Sequence, residues 1–261
     1  MHSVFYEQAG PAVFVSTKST VGPWSVDAQH GGPPSALAAH LLEAHQPAGN
    51  QRLASVTVDI LRPVPIGKLT ARTRAVRPGR RVTLLETVLE ADGQEVLQAR
   101  GWRIEIAAEP VPETVPGGEP PALPPQQPPV SFAGAVMDGY LTAMEWRYVS
   151  GGGFDDPGPA AAWVRPTIPL LPGQELSPMS RALLIADSGN GLSSVLDPAR
   201  FLFLNVDLAV VLQRDPVGEW LLLDASTAIG AAGSGLAVST LSDPAGPCGR
   251  GMQTLLVAPR G

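Results

Sequence analysis

The side chains best placed for chemistry lie in Asp187-Ser188-Gly189-Asn190-Gly191. A carboxylate there can orient a water or accept a proton, and the glycines allow close approach to the backbone. The apolar run Leu192 to Leu196 is expected to follow as a short helix, whose free N–H groups would face an anion. The plainer reading is that Asp187 or Ser188 simply caps that helix. His30-Gly31-Gly32 offers a second cluster, with an imidazole ahead of two glycines at another helix start. It reads either as a ligand contact or as an ordinary packed or solvent-facing histidine. His40 and His45 lie five apart on the same helix without metal-ligand partners and read as structural; no metal cluster is expected. Gly151-Gly152-Gly153 lacks the Lys-Ser/Thr of a phosphate loop and reads as a plain loop. Arg77, Arg80 and Arg81 flank Pro78-Gly79, a solvated loop that could also meet an anion. The single cysteine, Cys248, sits in Pro247-Cys248-Gly249 beside a turn, with no His or Asp set around it.

These residues need elements to hold them. Val13 to Val15 reads as a strand, with Trp24 beyond it. Gly31-Gly32-Pro33-Pro34 starts a helix, since proline fits the first turn, and Ser35 to His45 stacks Leu37, Leu41 and Ala44 on one face. Strands are expected at Val56 to Ile60, Leu69 to Val76, Val82 to Leu89 and Val96 to Ile106, with a tight turn at Asp92-Gly93. From Pro110 to Pro129 there are nine prolines and two glycines, which reads as an extended linker. It separates residues 1–109 from 130–261. The second half reads as strands at Trp146 to Val149 and Ala161 to Val164, then the Asp187 segment and its helix. Strands follow at Leu202 to Leu212, Glu219 to Ser226, Gly235 to Leu241 and Met252 to Val257. Pro65-Ile66-Gly67 answers Pro216-Val217-Gly218, Asp92-Gly93 answers the turn from Asp243 to Gly246, and Gly31-Gly32 answers Gly189-Asn190-Gly191. The same order on both sides of the linker reads as a tandem duplication. One helix per half is packed most economically inside a curved antiparallel sheet, and two such units can pair their sheets edge to edge with a cleft at the seam.

The bulk composition fits such a chain. Its 261 residues are 44% hydrophobic and 16% charged, with 28 Gly and 28 Pro, which suits a globular protein rich in sheet and turns. A net charge of −6 with no basic stripe argues against nucleic acid. One cysteine permits no internal disulfide, in keeping with a reducing compartment. Met1-His2-Ser3-Val4 lacks a basic region followed by an apolar run, so no signal peptide is expected, and without a run of about 18 apolar residues no membrane span is expected. A cytoplasmic location is the expectation.

Several stretches resemble the acyl-CoA thioesterase II family. His30-Gly31-Gly32 is similar to its Gly-Gly helix start, Val58-Asp59-Ile60-Leu61-Arg62-Pro63 to its strand ending in Arg-Pro, Ala186-Asp187-Ser188-Gly189-Asn190-Gly191 to its Asp-bearing segment, and Gly218-Glu219-Trp220-Leu221-Leu222 to its Glu-Trp-Leu-Leu strand. The resemblance covers nearly the whole chain outside the linker. It implies an α+β double hotdog, with two tandem antiparallel sheets each wrapped around a central helix. It also implies hydrolysis of acyl-CoA thioesters to free acid and coenzyme A.

The resemblance places a catalytic acid at Asp187. The family's water-binding Thr falls on Asn205, with Asp207 two residues on and facing the same side, and its Gln falls on or beside Gln253. Asn can orient a water but lacks a hydroxyl's geometry, so a non-catalytic acyl or acyl-CoA binding protein is the alternative. His30, Gly31, Gly32, Gly189 and Gly191 are the expected substrate contacts, with backbone N–H groups near the glycines for an oxyanion. A hydratase using Asp27 and His30 is a third possibility. No separate cofactor is expected, coenzyme A being part of the substrate. The partners expected are an acyl-CoA or acyl-carrier thioester and further copies of the chain, as a homodimer or higher homo-oligomer.

Overall fold

The computed structural model describes residues 4–47, 49–114, 117–132, 134–151, 154 and 156–260; Met1 to Ser3 and Gly152-Gly153 lie outside them. The first half contains β1 (Tyr6–Gly10), β2 (Val13–Ser16), β3 (Val21–Gly22), β4 (Ser25–Gln29), α1 (Gly32–Ala44), β5 (Gln51–Ile60), β6 (Lys68–Arg77), β7 (Val82–Ala91) and β8 (Gln94–Glu105). The second contains β9 (Met144–Ser150), β10 (Ala160–Pro166), α2 (Pro178–Ala186), α3 (Gly189–Leu192), β11 (Phe201–Asn205), β12 (Asp207–Leu212), β13 (Leu221–Ile229), β14 (Ser234–Asp243) and β15 (Gly246–Pro259). Turn chemistry sets the hairpins. Asp92 and Gly93 both take positive φ, 49° and 75°, between β7 and β8, as a two-residue loop of matching twist requires.

Thirteen strands form one antiparallel sheet in the order β1-β2-β6-β7-β8-β5-β12-β15-β14-β13-β10-β9, with β11 also on β15. The seam is β5 against β12, where Val58 faces Leu208 and Val56 faces Val210. Outward from it the order is β5-β8-β7-β6-β2 on one side and β12-β15-β14-β13-β10 on the other. The two expected sheets are thus continuous with each other, because edge-to-edge pairing satisfies the backbone groups that β5 and β12 would otherwise leave open. Helix α1 lies against β5, β7 and β8, α2 lies mainly against β12, β13 and β5, and the helices pack on each other. Leu37, Leu42, Leu97, Leu183, Leu208 and Leu241 share one buried core.

The second half departs from the expected order in its helix. Its long helix is α2, ahead of Asp187, and residues 193–196 are not helical. Ser177 caps α2 by accepting from the Ser180 N–H, and Pro178 opens the first turn, the Ser-Pro start signal in plain form. Gly189–Gly191 therefore follows a long helix instead of starting one, and is no counterpart of Gly31-Gly32. The run Leu202 to Leu212 also breaks, at Val206, into β11 and β12.

The described residues between Pro110 and Pro129 carry no helix or strand. They lie along β9 and β10, where the Trp163 indole donates to Pro121 O at 3.1 Å and Tyr148 N donates to Gln127 at 2.7 Å. The halves also interlock, with Phe5 N donating to Pro169 O and Tyr140 N to Val21 O. Among the described residues no helix is long and apolar enough to cross a membrane. Cys248 is buried with its thiol pushed up to about 12, chiefly by desolvation, the state of an inert packed thiol.

Candidate active site

Asp187 closes α2, its N–H donating to Leu183 O. Its carboxylate is 3% exposed and sits at the negative end of the helix dipole, a costly place for a charge unless it is matched. Two side chains match it. His30 Nδ1 lies 2.9 Å from Oδ2, and Asn205 Nδ2 donates to Oδ1 at 2.9 Å. The Asp187 side chain is therefore not the helix N-cap of the plainer reading.

His30 is delivered by the end of β4, where its N–H donates to Thr20 O. Its ring stacks on Tyr140, with centroids 3.8 Å apart and planes 8° off parallel. The Tyr140 hydroxyl donates to Leu184 O at 2.7 Å and lies 2.9 Å from Ser188 Oγ. Burial pushes this phenol well above its ordinary range, so it stays neutral. Gly32 N also lies 3.1 Å from His30 Nδ1. One ring nitrogen cannot donate to a carboxylate and accept from an amide at once. Nδ1 therefore serves one of the two at a time, as acceptor for the Gly32 N–H or as donor to the carboxylate. Pro33 and Pro34 have no N–H, so the donors at this end of α1 are the N–H groups of Gly31 and Gly32, the latter directed at His30 Nδ1.

Both glycines are steric requirements. A Cβ on Gly31 would lie 2.8 Å from Asp187 Oδ2, and one on Gly32 would lie 2.5 Å from Leu184 O. The first lets α1 reach the carboxylate; the second lets α1 and α2 touch.

Gln253, on β15, is 2% exposed. Its Nε2 donates to Asp187 O at 3.1 Å and its Oε1 accepts from Asn190 N at 3.0 Å, pinning the α2–α3 corner. Asn205 also donates to Asp207 O at 3.3 Å. Asp207 does not share its side: the strand break at Val206 turns that carboxylate to Thr254, where Oδ2 accepts from the hydroxyl at 3.0 Å.

A cleft of about 650 Å³ opens on the group. His30, Gly31, Asp187, Asn190 and Asn205 line it, with Ile60, Val64, Leu202 and Phe203 as apolar wall. The expected residues therefore divide. Asp187, Asn205, His30 and Gly31 meet at the cleft, and Gln253 supports them from behind. Gly32, Gly189 and Gly191 are not on its wall: Gly189 lies against Gln253 and Gly191 against Phe154, since they belong to the packed α2–α3 corner. Asp27 shares the cleft, but the carboxylate that His30 meets is that of Asp187. The arginines on the wall are Arg62 and Arg260, not Arg77, Arg80 or Arg81. No local pattern in the sequence marks Tyr140, because its stacking partner is 110 positions away in the chain.

Comparison with known proteins agrees in one direction. Residues 20–104 match the family described as acyl-CoA thioesterase N-terminal domain, and residues 112–257 the one described as acyl-CoA thioesterase C-terminal domain. No curated protein matches in sequence. Among solved structures, a conserved protein of unknown function with hot dog fold from Alicyclobacillus acidocaldarius is similar with TM-score 0.72 at 16% identity, covering 97% of this chain and 95% of that one. The tesB protein of Mycobacterium avium subsp. paratuberculosis gives 0.67 at 18%, covering 98% and 97%. Acyl-CoA thioesterase II TesB2 from Mycobacterium marinum gives 0.67 at 16%, covering 98% and 95%. At these identities the structures show a shared hot dog fold.

Proposed function

The chain belongs to the acyl-CoA thioesterase family, and from that premise we propose that it hydrolyses acyl-CoA thioesters with a water activated at Asp187. The observation that carries this reading is the buried Asp187 carboxylate, held between His30 and Asn205 on the wall of the cleft. Water gives a proton to Asp187 as its oxygen attacks the thioester carbonyl carbon. The oxyanion takes the N–H group of Gly31, aided by the α1 dipole. Its collapse breaks the C–S bond, and the proton held at Asp187 leaves with the thiolate as coenzyme A thiol. Gln253 fixes the corner that carries the acid. We read the architecture as a tandem double hotdog, residues 1–109 and 130–261 around a linker at 110–129.

Asn205 favours a second reading. Its NH2 group is engaged by Asp187 and Asp207 O, where the resemblance calls for a hydroxyl. A protein that binds acyl-CoA without turning it over would keep the same cleft. An assay over acyl-CoA chain lengths, with acyl carrier protein thioesters beside them, decides. Turnover that falls about 10²- to 10⁴-fold in Asp187→Asn, the usual worth of a general base, is the expected result. Tight acyl-CoA binding without release of free thiol would favour the binding protein, and full turnover by Asp187→Asn would remove Asp187 from the mechanism.

A further inference from the structure

Among the described residues, three polar side chains on the wall of the cleft are buried: Gln29, Asp187 and Asn190. Buried polar groups are nearly always paired inside a protein, and an exception calls for a reason. Gln29 accepts from the Tyr6 hydroxyl and donates to Pro65 O at 2.7 Å. Asp187 accepts from Asn205 at 2.9 Å. Asn190 is only 6% exposed, yet among the described residues its side-chain amide has no hydrogen-bond partner. The amide is not sealed from solvent, and the cleft is where its opening lies. Its backbone is held firmly: Asn190 N donates to Gln253 Oε1 at 3.0 Å, while Gln253 Nε2 donates to Asp187 O at 3.1 Å. One buried glutamine thus fixes the spacing between the acid and Asn190, three residues further on. The Asn205 amide is not free in this way, since its NH2 group goes to Asp187 Oδ1 and Asp207 O.

We infer that Asn190 is a catalytic residue, its side-chain NH2 group giving the developing oxyanion a second hydrogen bond beside that of the Gly31 N–H. This rests on the thioesterase reading and deepens it. Attack by water turns the thioester carbonyl oxygen from a weak acceptor into an anion, which a single N–H serves poorly. Asp187 is the acceptor that the water needs, and a carboxylate has no hydrogen to offer the oxyanion. The Gly31 N–H has no partner among the described residues, and Gly31 shares the cleft wall with Asn190. A donor on a corner already pinned by Gln253 needs little reorganisation as the charge forms, which is what makes it effective. Its bond strengthens as the oxygen becomes anionic, so its loss falls on kcat and spares KM.

The test measures kcat and KM for the acyl-CoA that the wild type hydrolyses fastest. Asn190→Leu keeps the size and removes the amide, Asn190→Ala removes both, and Asn190→Asp keeps an acceptor without the donor. Thermal midpoints identify the folded variants. In Asn190→Leu and Asn190→Ala, kcat should fall about 10²- to 10³-fold, the usual worth of one oxyanion donor, with KM within about threefold of wild type. Asn190→Asp should lose at least as much, since a carboxylate repels the oxyanion. A kcat within about threefold of wild type in a folded Leu or Ala variant overturns the inference, as does a loss carried by KM alone. Turnover retained by Asn190→Asp also overturns it, because the amide oxygen would then be the working atom. If the wild type releases no thiol from any acyl-CoA, the thioesterase reading fails separately. Calorimetric binding of the ketone analogue of octanoyl-CoA, with CH2 in place of the sulfur, then decides. Affinity about fivefold weaker in Asn190→Leu, the worth of one hydrogen bond to the carbonyl oxygen, supports the donor, and absent or unchanged binding overturns it.

Discussion

The Asp187 carboxylate is buried at the C-terminal end of α2. His30 Nδ1 lies 2.9 Å from one of its oxygens, and Asn205 Nδ2 donates to the other at 2.9 Å. Removing the Asn205 donor leaves a carboxylate oxygen unmatched, which costs about 1–3 kcal/mol or more. Asn205→Ala is therefore expected to lower both the unfolding midpoint and kcat. Asn205→Asp places a second carboxylate beside the first and should cost more than alanine in a denaturant titration. An Asn205→Ala protein with unchanged stability and turnover would mean that the bond does not hold the acid.

At the scale of elements, the site depends on how closely α1 and α2 approach. Their ends run antiparallel, with Gly32 against Leu184 O, Ser180 Oγ on Ala36 O, and Ser177 beside Glu43. Gly32→Ala presses a methyl on backbone that cannot give way, and overpacking of this kind costs about 1–3 kcal/mol. Its effect should be a clear drop in thermal midpoint. Gly31→Ala presses on the Asp187 side chain instead, 2.8 Å away. It should depress turnover more than the midpoint, because the carboxylate moves and the helix does not. Equal effects of the two variants on both readouts would show that the glycines do not divide the work in this way.

Seen across the whole molecule, the helix pair has two ends that the sheet treats differently. At one, Gln253 of β15 holds Asp187 O and the cleft is about 650 Å³. At the other, Arg103 of β8 donates to Glu43 O and His45 O in the last turn of α1, and the space left is about 130 Å³. Strands β8 and β15 occupy the same place on either side of the seam, so a guanidinium fills what the amide leaves open. Glu43 at the closed end is raised from its ordinary 4.5 to about 7, first by burial, with Asp215 adding to it and Ser177 and Arg103 opposing. The folded chain thus binds this proton more tightly than the unfolded one. The stability it contributes is complete below about pH 4.5 and is lost as pH rises through about 7. Glu43→Gln should leave the midpoint unchanged at pH 5 and raise it by roughly 2–4 °C at pH 8, the response of a domain this size to about 1 kcal/mol. A variant whose midpoint tracks wild type from pH 5 to 8 would show that Glu43 does not titrate in that range.

Local chemistry alone fixes much of this protein. Alternation in Val56 to Ile60, the Asp92-Gly93 turn, the Gly-Pro start of α1 and the proline run after 110 each act within a few residues, so strands, hairpin, helix and irregular connection are legible in the chain. The Asp187 segment is marked in the chain by its glycine neighbours and its likeness to a family. Ser177-Pro178 announces helix α2, yet the glycines after Asp187 draw the expected helix to the wrong side of the acid. Other features depend on residues far apart in sequence. That His30 meets Asp187 and not Asp27, that Tyr140 braces the imidazole, that Asp207 turns away from Asn205, and that two sheets become one across β5 and β12 are all settled by packing between the halves. A chain records which residues can donate, accept or turn. Which of them share a buried carboxylate is decided only when α1 and α2 come within a glycine's width of each other.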